Sequence, residues 1–238
     1  MKEKIIGILG GMGPEATVDC YARIIKNTPA KTDQQHLRVI IDSNPKVPDR
    51  TASITGKGPS PVPILVDGCH TLQAAGADFV IMPCVSAHFY LAEIRQQIKL
   101  PILSIYDAVT DTISGEHADI KTVGLMGTTG TISGGLFQKR LAAANIQTMV
   151  PADVQQIRVM AAIYDIKNSR PDRSRKQITA DLVAVAQGLI SNGAQGIVAG
   201  CTEIPLALEQ QHLSVPYFDA LSILARAAII KAGLTPVS

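Results

Sequence analysis

The sequence predicts an α/β fold made of two similar halves, each a short parallel sheet flanked by helices. Two observations carry this. Short apolar runs of strand length alternate with segments of helical spacing along the whole chain, as in parallel strands joined by crossover helices. The second half also repeats the first at a nearly constant interval. Gly76-Ala-Asp-Phe-Val-Ile-Met-Pro-Cys84 is echoed by Gly193-Ala-Gln-Gly-Ile-Val-Ala-Gly-Cys201, so the two cysteines stand 117 residues apart. Gly7 and Gly124, at the heads of Gly-Ile-Leu-Gly10-Gly-Met-Gly13 and Gly-Leu-Met-Gly127-Thr-Thr-Gly130, are separated by the same 117, as are Leu72 and Leu189. Leu100-Pro-Ile and Val215-Pro-Tyr are 115 apart, a slip of two.

In chain order, Ile5 to Leu9 is an apolar run broken by Gly-Gly-Met-Gly-Pro and followed by helical spacing over Glu15 to Ile25: strand, glycine loop, helix. Val39 to Ile41 is a second strand, and the Pro-, Gly-, Ser- and Thr-rich stretch from Asp42 to Pro63 reads as a long surface loop. A helix over Ile64 to Ala75, a strand over Phe79 to Met82, a helix over Ser86 to Ile98, a strand over Pro101 to Ser104 and a helix from about Ala108 complete the first half. Lys121 to Met126 begins again as a strand, with Gly127-Thr-Thr-Gly-Thr and a helix through Leu136 to Ala144 behind it. There follow a strand at Thr148 to Val150, a helix at Val154 to Ile166, a break at 168–172 and a long helix at Arg175 to Ser191. The last elements are a strand at Ile197 to Ala199, a short helix at Pro205 to Gln211, a strand at Val215 to Phe218 and a closing helix at Ala220 to Ala232. The expected division is 1–105 with 217–238, and 106–216.

At 238 residues, 46% hydrophobic and 18% charged with a net charge of +2, the chain carries no strong field for nucleic acid or a membrane surface. Met1 to Leu9 passes from Lys-Glu-Lys into an apolar run too short for a signal-peptide core, and no run approaches membrane-spanning length. A cytoplasmic location is the expectation. The four cysteines, at 20, 69, 84 and 201, lack metal-ligand spacing, and disulfides are not expected in that compartment. Cys20 and Cys69 fall within helical patterns and read as small buried hydrophobes.

Cys84 and Cys201 differ from these in position. Ligands of parallel α/β sheets bind beyond the carboxyl ends of the strands, and both cysteines follow such an end. Two similar halves with facing strand ends would put the thiols on opposite sides of one cleft, lined also by the glycine loops at 10–13 and 127–131. A carbon acid held there loses a proton to one thiol and gains one from the other on the opposite face, which inverts its configuration. A thiol of pKa about 8.5 is a few per cent thiolate near neutrality, and a following helix N-terminus favours the thiolate further. The carboxylate that takes on charge needs donors already in place, and Ser86, Thr128, Thr129 and Thr202 carry suitable hydroxyls.

With these residues the chain resembles the cofactor-independent aspartate/glutamate racemases, most nearly their aspartate branch. The resemblance runs through Gly-Ile-Leu-Gly-Gly-Met-Gly-Pro at 7–14, Asn44-Pro45, Pro-Asp-Arg-Thr at 48–51, Gly56-Lys-Gly, Met-Pro-Cys at 82–84 with Ala87-His88, Thr-Thr-Gly-Thr at 128–131 and Gly-Cys-Thr-Glu at 200–203. It implies two pseudo-symmetric lobes, usually a homodimer, with no pyridoxal phosphate and no metal, acting on a small amino acid. Cys84 and Cys201 match the family's acid/base pair. Arg50, flanked by Asp49 and Thr51, matches an arginine that holds a substrate carboxylate. Lys167 resembles the substrate-binding lysine, in a segment one residue shorter. Val85, Ser86 and Ala87 follow the first cysteine, Thr202 and Glu203 the second, and Thr129 lies in the matching loop; these complete the expected substrate-binding set. One position departs: the family's Pro-Cys-Asn-Thr-Ala-His is Pro-Cys-Val-Ser-Ala-His here, and Val85 has no amide with which to bond the substrate.

The expected reaction is therefore interconversion of L- and D-aspartate, with glutamate or a broader amino-acid range as the alternative. Val85 also allows a catalytically weak protein that binds an acidic metabolite. A different class stays open, because Gly11-Met-Gly13-Pro-Glu-Ala16 fits the dinucleotide pattern G-x-G-x-x-A with Asp42 as ribose partner. The later copy Gly127-Thr-Thr-Gly-Thr lacks that pattern. His88 reads either as a packed histidine or as an electrostatic helper of Cys84. Glu203 reads as a group that tunes Cys201 or as the cap of the next helix.

Overall fold

A computed structural model describes residues 3–168 and 171–237. In chain order its elements are β1 (Ile6–Gly10), α1 (Pro14–Asn27), β2 (Val39–Ser43), α2 (Arg50–Ile54), α3 (Val62–Ala74), β3 (Phe79–Ile81), α4 (Leu91–Gln97), α5 (Ile105–Glu116), β4 (Thr122–Gly127), α6 (Thr129–Gly134), α7 (Leu136–Ala143), β5 (Gln147–Met149), α8 (Asp153–Lys167), α9 (Arg175–Ser191), β6 (Ile197–Gly200), β7 (Tyr217–Asp219) and α10 (Ala220–Ala232). The strands form two parallel sheets, in the orders β2-β1-β3 and β5-β4-β6-β7. The fold is the predicted α/β alternation. The chain divides into two compact units, Met1–Ala108 with Leu221–Ser238, and Val109–Ala220.

Each unit has its own core. In the first, Leu9, Val80 and Met82 of the sheet region pack against Leu65, Cys69 and Leu72 of α3 and Ile94 of α4. The closing helix α10 belongs to this unit, with Lys4 N–H donating to the Ala232 carbonyl and the Lys231 ammonium over the Phe79 ring. In the second, Val159 and Ile163 of α8 and Leu182, Val185 and Leu189 of α9 pack on Ile197 and Ala199. Burying one such aliphatic side chain contributes about 1.5–3 kcal/mol, so these clusters fix where the strand ends point.

Five local expectations change. The stretch 42–63 contains α2, because the Asp49 carboxylate accepts from Ala52 N–H at 2.7 Å and caps a short helix. The run after Cys84 starts as a 3₁₀ turn over Ser86–Tyr90 before α4. Pro101 to Ser104 makes only a single bridge, Val80 to Ile102: Val80 N–H donates to Pro101 O and Leu103 N–H to Val80 O, and Pro101 has no N–H with which to extend the ladder. The helix expected through 136–144 is split from α6 by Gly135 at φ 67°. Pro205 to Gln211 is two separate 3₁₀ turns, Ile204–Leu206 and Gln210–His212. Of the break at 168–172, residues 169 and 170 lie outside the described residues.

Candidate active site

Cys84 lies three residues beyond the end of β3, and Cys201 is the first residue after β6. Both are buried, at 3% and 4% exposure, and both belong to the core of their own unit. Cys20 and Cys69 are also buried thiols, inside α1 and α3. Burial and the nearby charge of Asp42 push the Cys69 thiol up to about 12, which keeps it protonated and inert.

Around Cys84 the turn is held by its own side chains. The Cys84 sulfur is 3.6 Å from Ser86 Oγ. His88 Nδ1 lies 2.9 Å from the Cys84 carbonyl oxygen and its Nε2 3.3 Å from that of Leu103. Burial lowers the His88 pKa to about 4, so the ring is neutral at pH 7 and has one N–H to donate. His88 therefore ties Cys84 in place and brings no positive charge to it, which decides between its two sequence readings. Tyr106 stands edge-on to His88 and donates its hydroxyl hydrogen to the Val85 carbonyl at 3.1 Å. The sequence did not single out Tyr106: it sits in an apolar helix start with no motif around it. Val85 and Ala87 are both buried, at 2% and 0% exposure.

Cys201 has charged neighbours. Its sulfur donates to Glu203 Oε2 at 2.9 Å, the Thr202 hydroxyl donates to the same oxygen at 3.3 Å, and Lys167 Nζ pairs with Glu203 Oε1 at 3.3 Å. Glu203 is 3% exposed, so its carboxylate is held by these partners rather than by water. Burial first, then the Glu203 charge, push the Cys201 thiol well above its ordinary range, against a smaller opposing effect of Lys167. Of the two readings of Glu203, the contacts favour the one in which it tunes the thiol; its side chain makes no cap to the following turn. Lys167, on the last turn of α8, is engaged with Glu203. Both cysteines precede 3₁₀ turns, and such short turns give a weaker dipole than the full helices expected from the sequence.

Arg50 is buried at the head of α2, where its Nη1 donates to the carbonyls of Val47 and Pro48 and its Nη2 to that of Met12. The guanidinium thus clasps the 47–50 turn to the glycine loop. Asp49 caps α2, and the Thr51 carbonyl accepts from the Thr55 hydroxyl. The glycines of that loop have an internal explanation. A Cβ on Gly10 would stand 2.3 Å from Thr17 Cγ2, and Gly11, at φ +89°, lies against the Asn44 backbone. Gly11 N–H is bonded to Thr17 Oγ1 at 2.8 Å, so it is not held out for a pyrophosphate. In the second unit the Thr128 hydroxyl caps α6 and bonds Thr131, while Thr129 remains beside it. Among the described residues no group of His, Cys, Asp and Glu side chains is placed to hold a metal ion, and no helix is long and apolar enough to cross a membrane.

The family model described as Asp/Glu/hydantoin racemase matches residues 9–228. The chain belongs to this family. Its members are isomerases. An aspartate racemase of Picrophilus torridus is 29% identical and superposes with a TM-score of 0.87, covering 98% of this chain and 96% of its own. An aspartate racemase homologue from Pyrococcus horikoshii gives 26% identity and a TM-score of 0.75, over 96% and 99% of the two chains. A broad-specificity amino-acid racemase of Bacillus subtilis is 29% identical over 231 residues, 94% of this chain and 96% of that protein.

Proposed function

We propose that this protein is a cofactor-independent racemase that interconverts L- and D-aspartate, with Cys84 and Cys201 as its proton-transfer groups. The observation that carries the reading is that each thiol is buried beyond the carboxyl end of the corresponding strand of its unit. Those strands pair in matching register, Gly7 with Val80 on β1 and β3, and Gly124 with Ile197 on β4 and β6. Family membership and the likeness to an aspartate racemase support it.

In one direction the Cys84 thiolate takes the α-proton. The electron pair of the C–H bond passes into the substrate carboxylate, and the Cys201 thiol returns a proton to the opposite face. Cys84 ends as thiol and Cys201 as thiolate, and the reverse direction restores both. The raised pKa of Cys201 suits the donor role, because it keeps that sulfur protonated until the carbanion forms. The thiolate it leaves stands near Lys167, which favours it, while the Glu203 charge opposes it. A donor such as the Thr129 hydroxyl lowers the barrier only if its bond tightens as charge reaches the carboxylate, whereas the Thr202 hydroxyl hydrogen is already given to Glu203.

A second reading, racemisation of a broader range of amino acids, is favoured by Val85. It puts a buried apolar side chain directly after Cys84, and both cations suited to a second carboxylate, Arg50 and Lys167, already bond protein groups. A chiral assay over an amino-acid panel separates the readings: aspartate turnover supports the first, and turnover of neutral amino acids with aspartate left untouched replaces it by the second. In deuterium oxide, early turnover of either enantiomer labels the product and leaves recovered substrate unlabelled; equal label in both pools sinks the two-base scheme. Cys84→Ala and Cys201→Ala are each expected to abolish racemisation.

A further inference from the structure

Gln156 carries no motif and was not expected at the site. It closes the first turn of α8, on the same face as Met160 four residues later, and both reach the turn after β4. Gln156 Nε2 donates to the Gly127 carbonyl at 3.0 Å and to the Thr129 hydroxyl oxygen at 3.3 Å, and Thr129 N–H is directed to Met160 Sδ at 3.1 Å. The amide orientation is fixed by these partners, since the reverse flip would set Oε1 against the Gly127 oxygen. Oε1 itself is buried with no hydrogen-bond partner among the described residues, so the amide acts through its N–H side.

This has a consequence for Thr129. A hydroxyl whose oxygen already accepts one hydrogen bond directs its own hydrogen elsewhere, and among the described residues that hydrogen has no acceptor. Thr128 differs, because besides accepting from Thr131 N–H its hydroxyl also shares a hydrogen bond with Thr131 Oγ1 at 3.1 Å. The turn also lies at the end of the sheet where Cys201 lies: Gly127 pairs with Gly200, Thr129 follows two residues after the first and Cys201 one residue after the second. An uncommitted O–H donor at the same sheet end as Cys201 is suited to an anion.

We infer that Gln156 is a positioning residue that sets the Thr129 hydroxyl as a hydrogen-bond donor to the substrate α-carboxylate. The inference rests on the racemase reading, and the substrate for its test is whichever amino acid the unaltered protein turns over in the panel. If it turns over none, the racemase reading fails before any variant is compared.

The experiment measures kcat, KM and melting temperature for Thr129→Val, Thr129→Ser, Gln156→Met, Gln156→Glu and the double variant Thr129→Val with Gln156→Met. Thr129→Val lowers kcat/KM about tenfold, the effect of one hydrogen bond to a charged group, and Thr129→Ser restores it to within about threefold because the hydroxyl returns. Gln156→Met lowers kcat/KM by less, mainly through KM. The double variant is no worse than Thr129→Val alone, since Gln156 acts through that hydroxyl. In Gln156→Glu the ionised carboxylate captures the hydroxyl hydrogen, so KM climbs with pH in a way the unaltered protein does not show. Additive losses in the double variant, a Thr129→Val enzyme with unchanged kcat/KM, or a Gln156→Glu enzyme with an unaltered pH profile overturns the inference. Should Gln156→Met fail to fold for lack of the Gly127 bond, Thr129→Val and Gln156→Glu still decide it.

Discussion

The thiol of Cys201 and the carboxylate of Glu203 form a contact whose chemistry can be read directly. A thiol that donates to a buried carboxylate resists ionisation, because the thiolate would face a like charge in a poorly solvated place. Glu203→Gln removes that charge, and with it the Lys167–Glu203 ion pair, while keeping the shape. The Cys201 pKa is then expected to fall. Below a thiol's pKa the thiolate fraction rises tenfold per unit, so a drop of one unit makes alkylation of Cys201 by iodoacetamide about tenfold faster at fixed pH. Lys167→Met is expected to slow it. Peptide mass spectrometry follows the site, with Cys69 as an unreactive internal reference; an unchanged rate in Glu203→Gln would show that burial alone governs the thiol. Glu203 was visible in the sequence from its place after Cys201, but its pairing with Lys167 was not. That pairing depends on where the end of α8 meets the turn after β6, and no local spacing encodes it.

At the scale of the element, the turn after β3 depends on a neutral histidine. The 3₁₀ turn Ser86–Tyr90 is braced by His88, whose ring lies between the Cys84 and Leu103 carbonyls with its one N–H for the nearer of them, that of Cys84 at 2.9 Å, and by Tyr106, bonded to the Val85 carbonyl. Burial also pushes the Tyr106 hydroxyl upward, so it stays a donor at every physiological pH. For His88 the folded pKa of about 4 lies below the ordinary 6.5. The unfolded chain therefore binds the proton more readily, and His88 destabilises the fold as pH falls from about 6.5 towards 4. By pH 4.5 the loss is about 2–3 kcal/mol. Urea unfolding at pH 7 and 4.5 checks this: His88→Gln, which keeps an amide donor, loses less stability over that interval than the unaltered protein, and an equal loss removes His88 as the cause. The sequence located this turn and its cysteine, because Gly-Ala punctuation and an apolar run are local signals. It did not distinguish 3₁₀ from α-helix, and it did not identify Tyr106, whose bond to Val85 spans 21 residues and is made by the placement of α5 on this turn.

The repeat operates at the scale of the whole molecule, and its interval of 117 is met again in the hydrogen-bonded ladders. Gly7 pairs with Val80 and Gly124 with Ile197, both partners displaced by 117; the bridge at Ile102 and the strand partner Tyr217 are 115 apart, the slip seen in the sequence. The outer strands break the interval, since Gly7 pairs with Ile40 but Gly124 with Met149, 109 residues later. The interval survives where helix and strand are packed through glycine. A Cβ on Gly7 would lie 3.4 Å from Leu72 Cδ1, and one on Gly124 would lie 3.0 Å from Leu189 Cδ1, the same leucine in each copy. Alanine at either site overpacks its core, at a cost of about 1–3 kcal/mol. The two sites differ in what must yield. Gly124 meets the movable ends of Ile197 and Leu189 at 2.8 and 3.0 Å and one fixed atom, Leu189 Cβ at 3.1 Å, whereas the two atoms nearest Gly7, the Ala77 Cβ at 3.0 Å and the Phe79 backbone oxygen at 3.2 Å, are both unable to rotate away. Gly7→Ala is therefore expected to lower the urea midpoint more than Gly124→Ala, and the reverse order would mean that the helix over Gly124, not the strand beside Gly7, is the stiffer partner.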